Sequence, residues 1–171
     1  MQRFSTPYIG RFEPYTWSFV DWRNILHHTK DKGDLGLVKV ISDLTEQGFK
    51  ILTPFSEHLP FDLVAFSPKS NKLYKVQVKF KKMTKGVVTV PLRTSFLSQE
   101  GSVSKRYKLD DFDVLAVYCP DIKSCAYLTS NETGHLSNTA TLRVEPPKVG
   151  VSGVLSVEVK MFNNYTNFPF E

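Results

Sequence analysis

Residues 32–82 read KGDLGLVKVISDLTEQGFKILTPFSEHLPFDLVAFSPKSNKLYKVQVKFKK, and two periodicities within them decide the fold. Leu35, Val38, Ile41 and Leu44, with Leu37 beside them, recur at the spacing of one helix face. Gly48 is a natural stop, and Phe49 to Thr53 turns to strand. Gly33 and Gly36 predict that the start of the helix approaches another backbone closely. Two further strands follow, Phe61–Phe66 and Leu73–Lys81, joined by a turn over Ser67–Asn71. In the second of these, period-two alternation sends Tyr74, Val76, Val78 and Phe80 to a side that a sheet buries. Lys75, Gln77, Lys79 and Lys81 take the other side, so Gln77 and Lys79 are neighbours on one face. Asp62 opens the strand just before.

Working outward, Val87–Leu92 reads as a fourth strand after the Lys85-Gly86 turn. Thr94–Lys108 is polar and basic and reads as a mobile loop. Asp113–Cys119 carries the aliphatic run of a strand buried on both faces, with Cys125–Thr129 pairing beside it. Thr139–Val144 and Val154–Val159 are expected strands on either side of Pro146-Pro147, and the tail Asn163–Glu171 is expected to pack or fray. The whole predicts an α/β domain, with the order of strands in its sheet left open.

Residues 1–30 stand apart. Phe4, Tyr8, Phe12, Tyr15, Trp17, Phe19 and Trp22 crowd there without strand alternation, and Tyr15 to His28 fits a short helix. A packing arm, an oligomer contact, sequence upstream of the native domain, and a surface for stacking nucleic-acid bases all remain open. His27 and His28 would diverge by about 100° on a helix, which makes them poor partners for one metal ion.

With 171 residues, 41% apolar and 23% charged, the chain suits one domain with a real core rather than a disordered segment. No apolar run reaches the ~18 residues of a membrane span, and no signal-peptide pattern opens the chain. Cys119 and Cys125 have neither zinc-knuckle nor redox spacing. They read as small buried residues of a reducing, cytoplasmic compartment. The tripeptides at Asn131 and Asn164 match glycosylation acceptors by chance on that reading.

Charge is unevenly spread. Between Lys69 and Lys108 eleven Lys and Arg stand against one acid, Glu100, so the segment carries +10 while the chain as a whole carries +5. A basic stripe on an otherwise acidic chain is the footprint of a polyanion partner; the plain alternative is a solvated lysine face.

Phosphodiester cleavage needs an activated water and neutralisation of charge on the scissile phosphate. A divalent ion held by one or two carboxylates and neutral oxygens supplies both. Asp62 would be its main carboxylate and Gln77 an amide-oxygen ligand, with Asp34 a second carboxylate if the helix start leans over the sheet. Lys79 would stabilise charge on the phosphate. Taken singly each has an ordinary role: Asp62 as a turn acid, Gln77 and Lys79 as exposed strand residues, Asp34 as a residue of the first helical turn that caps it or meets its dipole.

Over about residues 31–130 the chain resembles the PD-(D/E)XK nuclease superfamily, specifically the group I intron-encoded homing endonucleases of cyanobacteria that use that fold. The KGDLG helix opening, the Gly48-Phe49 turn, the PFDL segment, the YKVQVKF strand and the DFDVLAVYCPD strand carry the resemblance. It implies an α/β fold with a mixed central sheet flanked by helices, restriction-endonuclease-like, Mg²⁺-dependent cleavage of double-stranded DNA (other divalent metals being possible) and a homo-oligomer, dimer or tetramer. Residues 1–30 would then be an extension and 31–171 the nuclease domain. By position Asp62 resembles the core acid, Gln77 the substituted acid and Lys79 the family lysine. The helix position where the family carries Glu is Leu37 here, so either Asp34 replaces it from one turn earlier or the first metal ligand is missing. Lys81, Lys82, Lys85, Arg93, Ser95, Lys105, Arg106 and Lys108 are the candidates for DNA contact. A junction resolvase, a restriction-type nuclease and a DNA-binding module with a decayed site are the alternatives.

Overall fold

Strand β3 (Lys72–Phe80) is the axis of the molecule. In the computed structural model, which describes residues 29–56, 58–98, 101–134, 138–146 and 159–170, it pairs antiparallel with β2 (Leu63–Ser67) and parallel with β7 (Val114–Cys119). β1 (Lys50–Leu52) continues beyond β2, and β8 (Ser124–Thr129) beyond β7, giving a five-stranded mixed sheet in the order β1-β2-β3-β7-β8. Parallel pairing of β3 with β7 demands a long crossover. Here it is built from strands: β4 (Val87–Pro91) and the hairpin β5 (Arg93–Ser98) and β6 (Gly101–Arg106). The expected aromatic helix, and all of the expected Val154–Val159 strand but its last residue, fall outside the described residues.

Each face of the sheet has its own core. On one, helix α1 (Thr29–Glu46) lays Val40 and Leu44 onto Leu63, Ala65, Val76, Val78, Val114 and Ala116. On the other, Leu115, Val117, Ala126 and Leu128 meet Val88 and Val90 of β4 and Ala140 and Leu142 of β9 (Thr139–Arg143). All six residues of β7 are buried, as its unbroken aliphatic run predicts.

Three expectations need correcting. The buried stripe of α1 runs through Gly36, Val40 and Leu44, while Val38 is 60% exposed. A Cβ at Gly36 would come within 3.2 Å of the Phe80 Cβ, so the helix meets the sheet backbone at a position that a hydropathy pattern cannot see. Gly33 meets nothing. Asp34 is beyond the first turn, because the helix starts at Thr29.

The stretch expected as a basic loop is the β5–β6 hairpin, paired from Arg93 with Arg106 to Ser98 with Gly101. Its Ser, Thr, Lys and Arg residues lack the apolar alternation by which strands are recognised. The polar side of β3 is also not a solvent face: Gln77 is only 7% exposed, because the second core packs against that side.

The tail packs. Phe168 lies 4.5 Å from Phe49 between ring centroids, and Phe170 stacks on Tyr74 at 4.9 Å. Cys119 and Cys125 are free and buried. Among the described residues no helix is long and apolar enough to cross a membrane.

Candidate active site

The β2–β3 ladder ends where Leu63 pairs with Val76, and the Asp62 N–H extends it by one bond to the Val76 carbonyl, 2.9 Å. Beyond that point the Val78 N–H has no strand partner on this side. The Asp62 carboxylate takes it: Oδ2 accepts from the Val78 N–H at 2.7 Å and from Gln77 Nε2 at 2.5 Å. Thus the end of a ladder, not a loop, aims this acid.

Gln77 Nε2 also donates to the Val78 carbonyl, 3.2 Å. A carboxylate and a carbonyl only accept, so both contacts identify the NH₂ end and fix which way the amide points. Its Oε1 therefore faces away from them, and among the described residues neither it nor Asp62 Oδ1 receives a hydrogen bond.

Lys79 shares the Gln77 face and is half-buried. Burial pushes its ammonium below the ordinary lysine range, and the Asp62 charge partly offsets this. For Asp62, burial likewise comes first and raises the carboxyl, opposed by the Val78 N–H, by Lys79 and by Gln77. The two groups feel each other, yet no ion pair within 4.0 Å joins them. Nζ donates instead to the Tyr107 hydroxyl at 2.7 Å. The ring centroid is 5.1 Å from Nζ, which with so short a contact to oxygen puts the ammonium at the hydroxyl end of the ring rather than over its face. The interaction is a hydrogen bond, not a cation–π contact.

Tyr107 was not among the residues marked by sequence. It sits directly after β6, and β-alternation puts it on the same side of the hairpin as Lys105 and its partner Thr94. The one available signal was an aromatic residue inside the basic run Lys105–Lys108, and nothing in its spacing ties it to Lys79.

Asp62, Gln77 and Lys79 are thus brought together, and Asp34 is not among them. It is exposed on α1, which packs on the opposite face of the sheet, and no contact joins it to the three. No group of three or more His, Cys, Asp or Glu among the described residues is placed to hold a metal ion.

The basic residues divide by position. Lys81, half-buried, is pushed down by burial and then by Lys79 two residues before it. Lys82, Lys85, Arg93, Lys105, Arg106 and Lys108 are exposed. Lys105 shares the Tyr107 side of the hairpin, while Arg93 and Arg106 pair on the other side, where Arg106 donates to the Gly134 carbonyl at 3.3 Å. Ser95 lies on β5, with its side chain outside those described.

The sequence model of a family described as "PD-(D/E)XK endonuclease" matches residues 27–165, well over half of the chain. No curated protein matches significantly. Among solved structures, the bacterial homing endonuclease I-Ssp6803I is similar at 24% sequence identity, with a TM-score of 0.59 over 73% of this chain and 84% of that one. At that identity the likeness is one of fold.

Proposed function

We propose, from the premise that this chain belongs to the PD-(D/E)XK endonuclease family and hydrolyses DNA phosphodiesters, that it makes sequence-specific double-strand breaks with Mg²⁺ in the manner of a homing endonuclease. The observation that carries the reading is the pair of oxygens, Asp62 Oδ1 and Gln77 Oε1, that receive no hydrogen bond among the described residues, held beside a lysine that makes no ion pair within 4.0 Å there. One carboxylate and one amide oxygen suit Mg²⁺, which keeps several waters and takes its remaining ligands from substrate phosphate. When bound there, a divalent ion polarises the phosphate and lowers the pKa of a bound water.

The chain's own residues do the rest. Asp62 and Gln77 hold and orient, both fixed by the one hydrogen bond that Gln77 donates to Asp62. Lys79 meets the negative charge that grows on the phosphate oxygens, in a site half out of water where that charge is worth most. Asp34 would have to act round the edge of the sheet, so Asp34→Asn is expected to slow cleavage less than any change at Asp62.

Lys81, Lys82, Lys85, Arg93, Ser95, Lys105, Arg106 and Lys108 are the proposed DNA contacts, with those on the Tyr107 side of the hairpin nearest the cut. A break in both strands needs two hydrolyses on antiparallel backbones, which a two-fold pair of copies provides, so a homo-oligomer is part of the proposal. Residues 1–30 are taken as an extension of the domain that follows.

Cleavage of a genomic or randomised DNA library, with Mg²⁺ and with chelator, and sequencing of the ends, is the test. Defined ends that appear only with the metal are expected. Random ends would remove the sequence specificity, and binding without nicking would leave a DNA-binding module whose site has decayed.

A further inference from the structure

Lys79 has one hydrogen-bond partner among the described residues, and it is a neutral one. A second lysine shows what the usual arrangement looks like. Lys160 donates to the Tyr165 hydroxyl at 3.0 Å and also pairs with Glu132 at 3.4 Å. There the positive charge is matched within the fold. At Lys79, among the described residues, no carboxylate comes within 4.0 Å, and the Asp62 charge acts on it only from farther away. A tyrosine hydroxyl fixes an ammonium without cancelling its charge, and it occupies one of three donors, leaving two for a phosphate.

The tyrosine is itself held firmly. Its ring meets Phe112 edge-on at 5.3 Å, its backbone N–H bonds the Leu92 carbonyl at 3.3 Å, and the Thr94 side chain sits by its hydroxyl. Burial, and after it the Asp62 charge, pushes the hydroxyl's pKa up to about 12, against the Thr94 side chain, which draws it down, so it stays neutral at working pH. Thr94 and Tyr107 belong to the two strand ends at the base of the basic hairpin.

We propose that Tyr107 is a positioning residue for Lys79: its hydroxyl, carried on the base of the β5–β6 hairpin, sets where the lysine's charge meets the scissile phosphate. This rests on the role given to Lys79 above. Since a hydrogen bond to a charged group contributes more than a neutral one, deleting the hydroxyl alone should slow the chemical step on the order of tenfold.

The test is single-turnover cleavage at saturating protein, with DNA affinity measured separately in chelator, for the wild type, Tyr107→Phe, Thr94→Val, Lys79→Ala and the Lys79→Ala/Tyr107→Phe pair. Tyr107→Phe is expected to lower the maximal rate about tenfold with affinity changed less than twofold, and Thr94→Val to lower it a few-fold. The residual rate of Lys79→Ala should not fall further when Tyr107→Phe is added. A Tyr107→Phe rate equal to wild type, or an additive loss in the pair, overturns the proposal and leaves the role of Lys79 standing. Wild-type cleavage by Lys79→Ala would overturn the reading of the site itself, and the positioning role with it. Should Tyr107→Phe fail to fold, an unchanged rate in Thr94→Val overturns the proposal alone.

Discussion

Gln47 and Gln77 each stand beside an aspartate with a tyrosine close by, on opposite faces of one sheet. Gln47, just past the end of α1, donates to Asp43 Oδ2 at 2.7 Å and to the Thr166 carbonyl at 3.3 Å, and its oxygen accepts from the Phe168 N–H at 2.8 Å. Tyr127 donates to the same Asp43 oxygen. Both ends of that amide are engaged, and together they hold the tail so that Phe168 is buried. Gln77 uses its NH₂ in the same way, on Asp62 and a carbonyl, but its oxygen receives no hydrogen bond among the described residues, and the tyrosine of that cluster accepts a hydrogen bond from an ammonium instead of donating one to a carboxylate. The residue types are nearly the same. The two aspartates are alike, each taking both donors on Oδ2. What separates the fold-holding cluster from the proposed catalytic one is the amide oxygen, engaged at Gln47 and, among the described residues, unengaged at Gln77, where a ligand can bind without breaking a bond that stabilises the fold.

The largest effect that could break this comparison comes from the two acids. Asp62→Asn is expected to abolish cleavage while DNA binding and the fold persist. Asp43→Asn should leave the rate at 25 °C unchanged and lower stability by about 1–3 kcal/mol, since a buried tyrosine hydroxyl and an amide lose a charged acceptor. Paired denaturation and cleavage measurements would show the roles reversed if the comparison is wrong.

Replacing the glutamines is the next smaller change. Gln77→Glu sets a second carboxylate where an amide now donates to Asp62 at 2.5 Å, so the metal-free protein should lose about 1–3 kcal/mol. Mg²⁺ should restore this, seen as a rise in Tm on adding the metal that exceeds the wild-type rise. Gln47→Glu should cost a similar amount that Mg²⁺ does not restore. A Gln77→Glu protein whose melting ignores Mg²⁺ would argue against a cation at that oxygen.

The smallest effect concerns a third cluster, charged but closed. Glu132 accepts from the Thr129 N–H at 2.8 Å and hydroxyl at 2.9 Å, a capping box that starts α2 (Ser130–Gly134), and pairs with Lys160. Burial by itself raises the Glu132 carboxyl, but the Thr129 bonds and Lys160 bring it below the ordinary range. A depressed carboxyl stabilises fully above its unfolded pKa and loses that stabilisation as pH falls through the folded value. Glu132→Gln should therefore cost about 1 kcal/mol at pH 7, and its deficit should shrink as pH drops below about 4.5. A deficit that stays constant with pH would show that the charge plays no part.

How much of this was legible varies by element. The alternation of Tyr74 to Lys81 put Gln77 and Lys79 on one face, and the neighbouring strand supplied Asp62, so the trio could be read from spacing alone. The helix stripe was misplaced onto Val38 because Gly36, the residue of closest approach, has no side chain to register as apolar. The hairpin from Arg93 to Arg106 was missed because its pairing rests on backbone hydrogen bonds and its composition is that of a loop. Asp34 looked like a possible third ligand because its distance along the chain says nothing about which face of the sheet the helix covers.

Residue order alone therefore settled which strands form the central sheet and the three side chains brought together, but not the order of those strands, since alternation and helical spacing are local properties of a backbone with one repeat length. Folding decided that the polar row is half enclosed, with Gln77 buried, that the second acid stays on the far face, and that Tyr107 reaches Lys79 from 28 positions away. Those are contacts between distant segments, and no local period encodes which two surfaces close over a lysine.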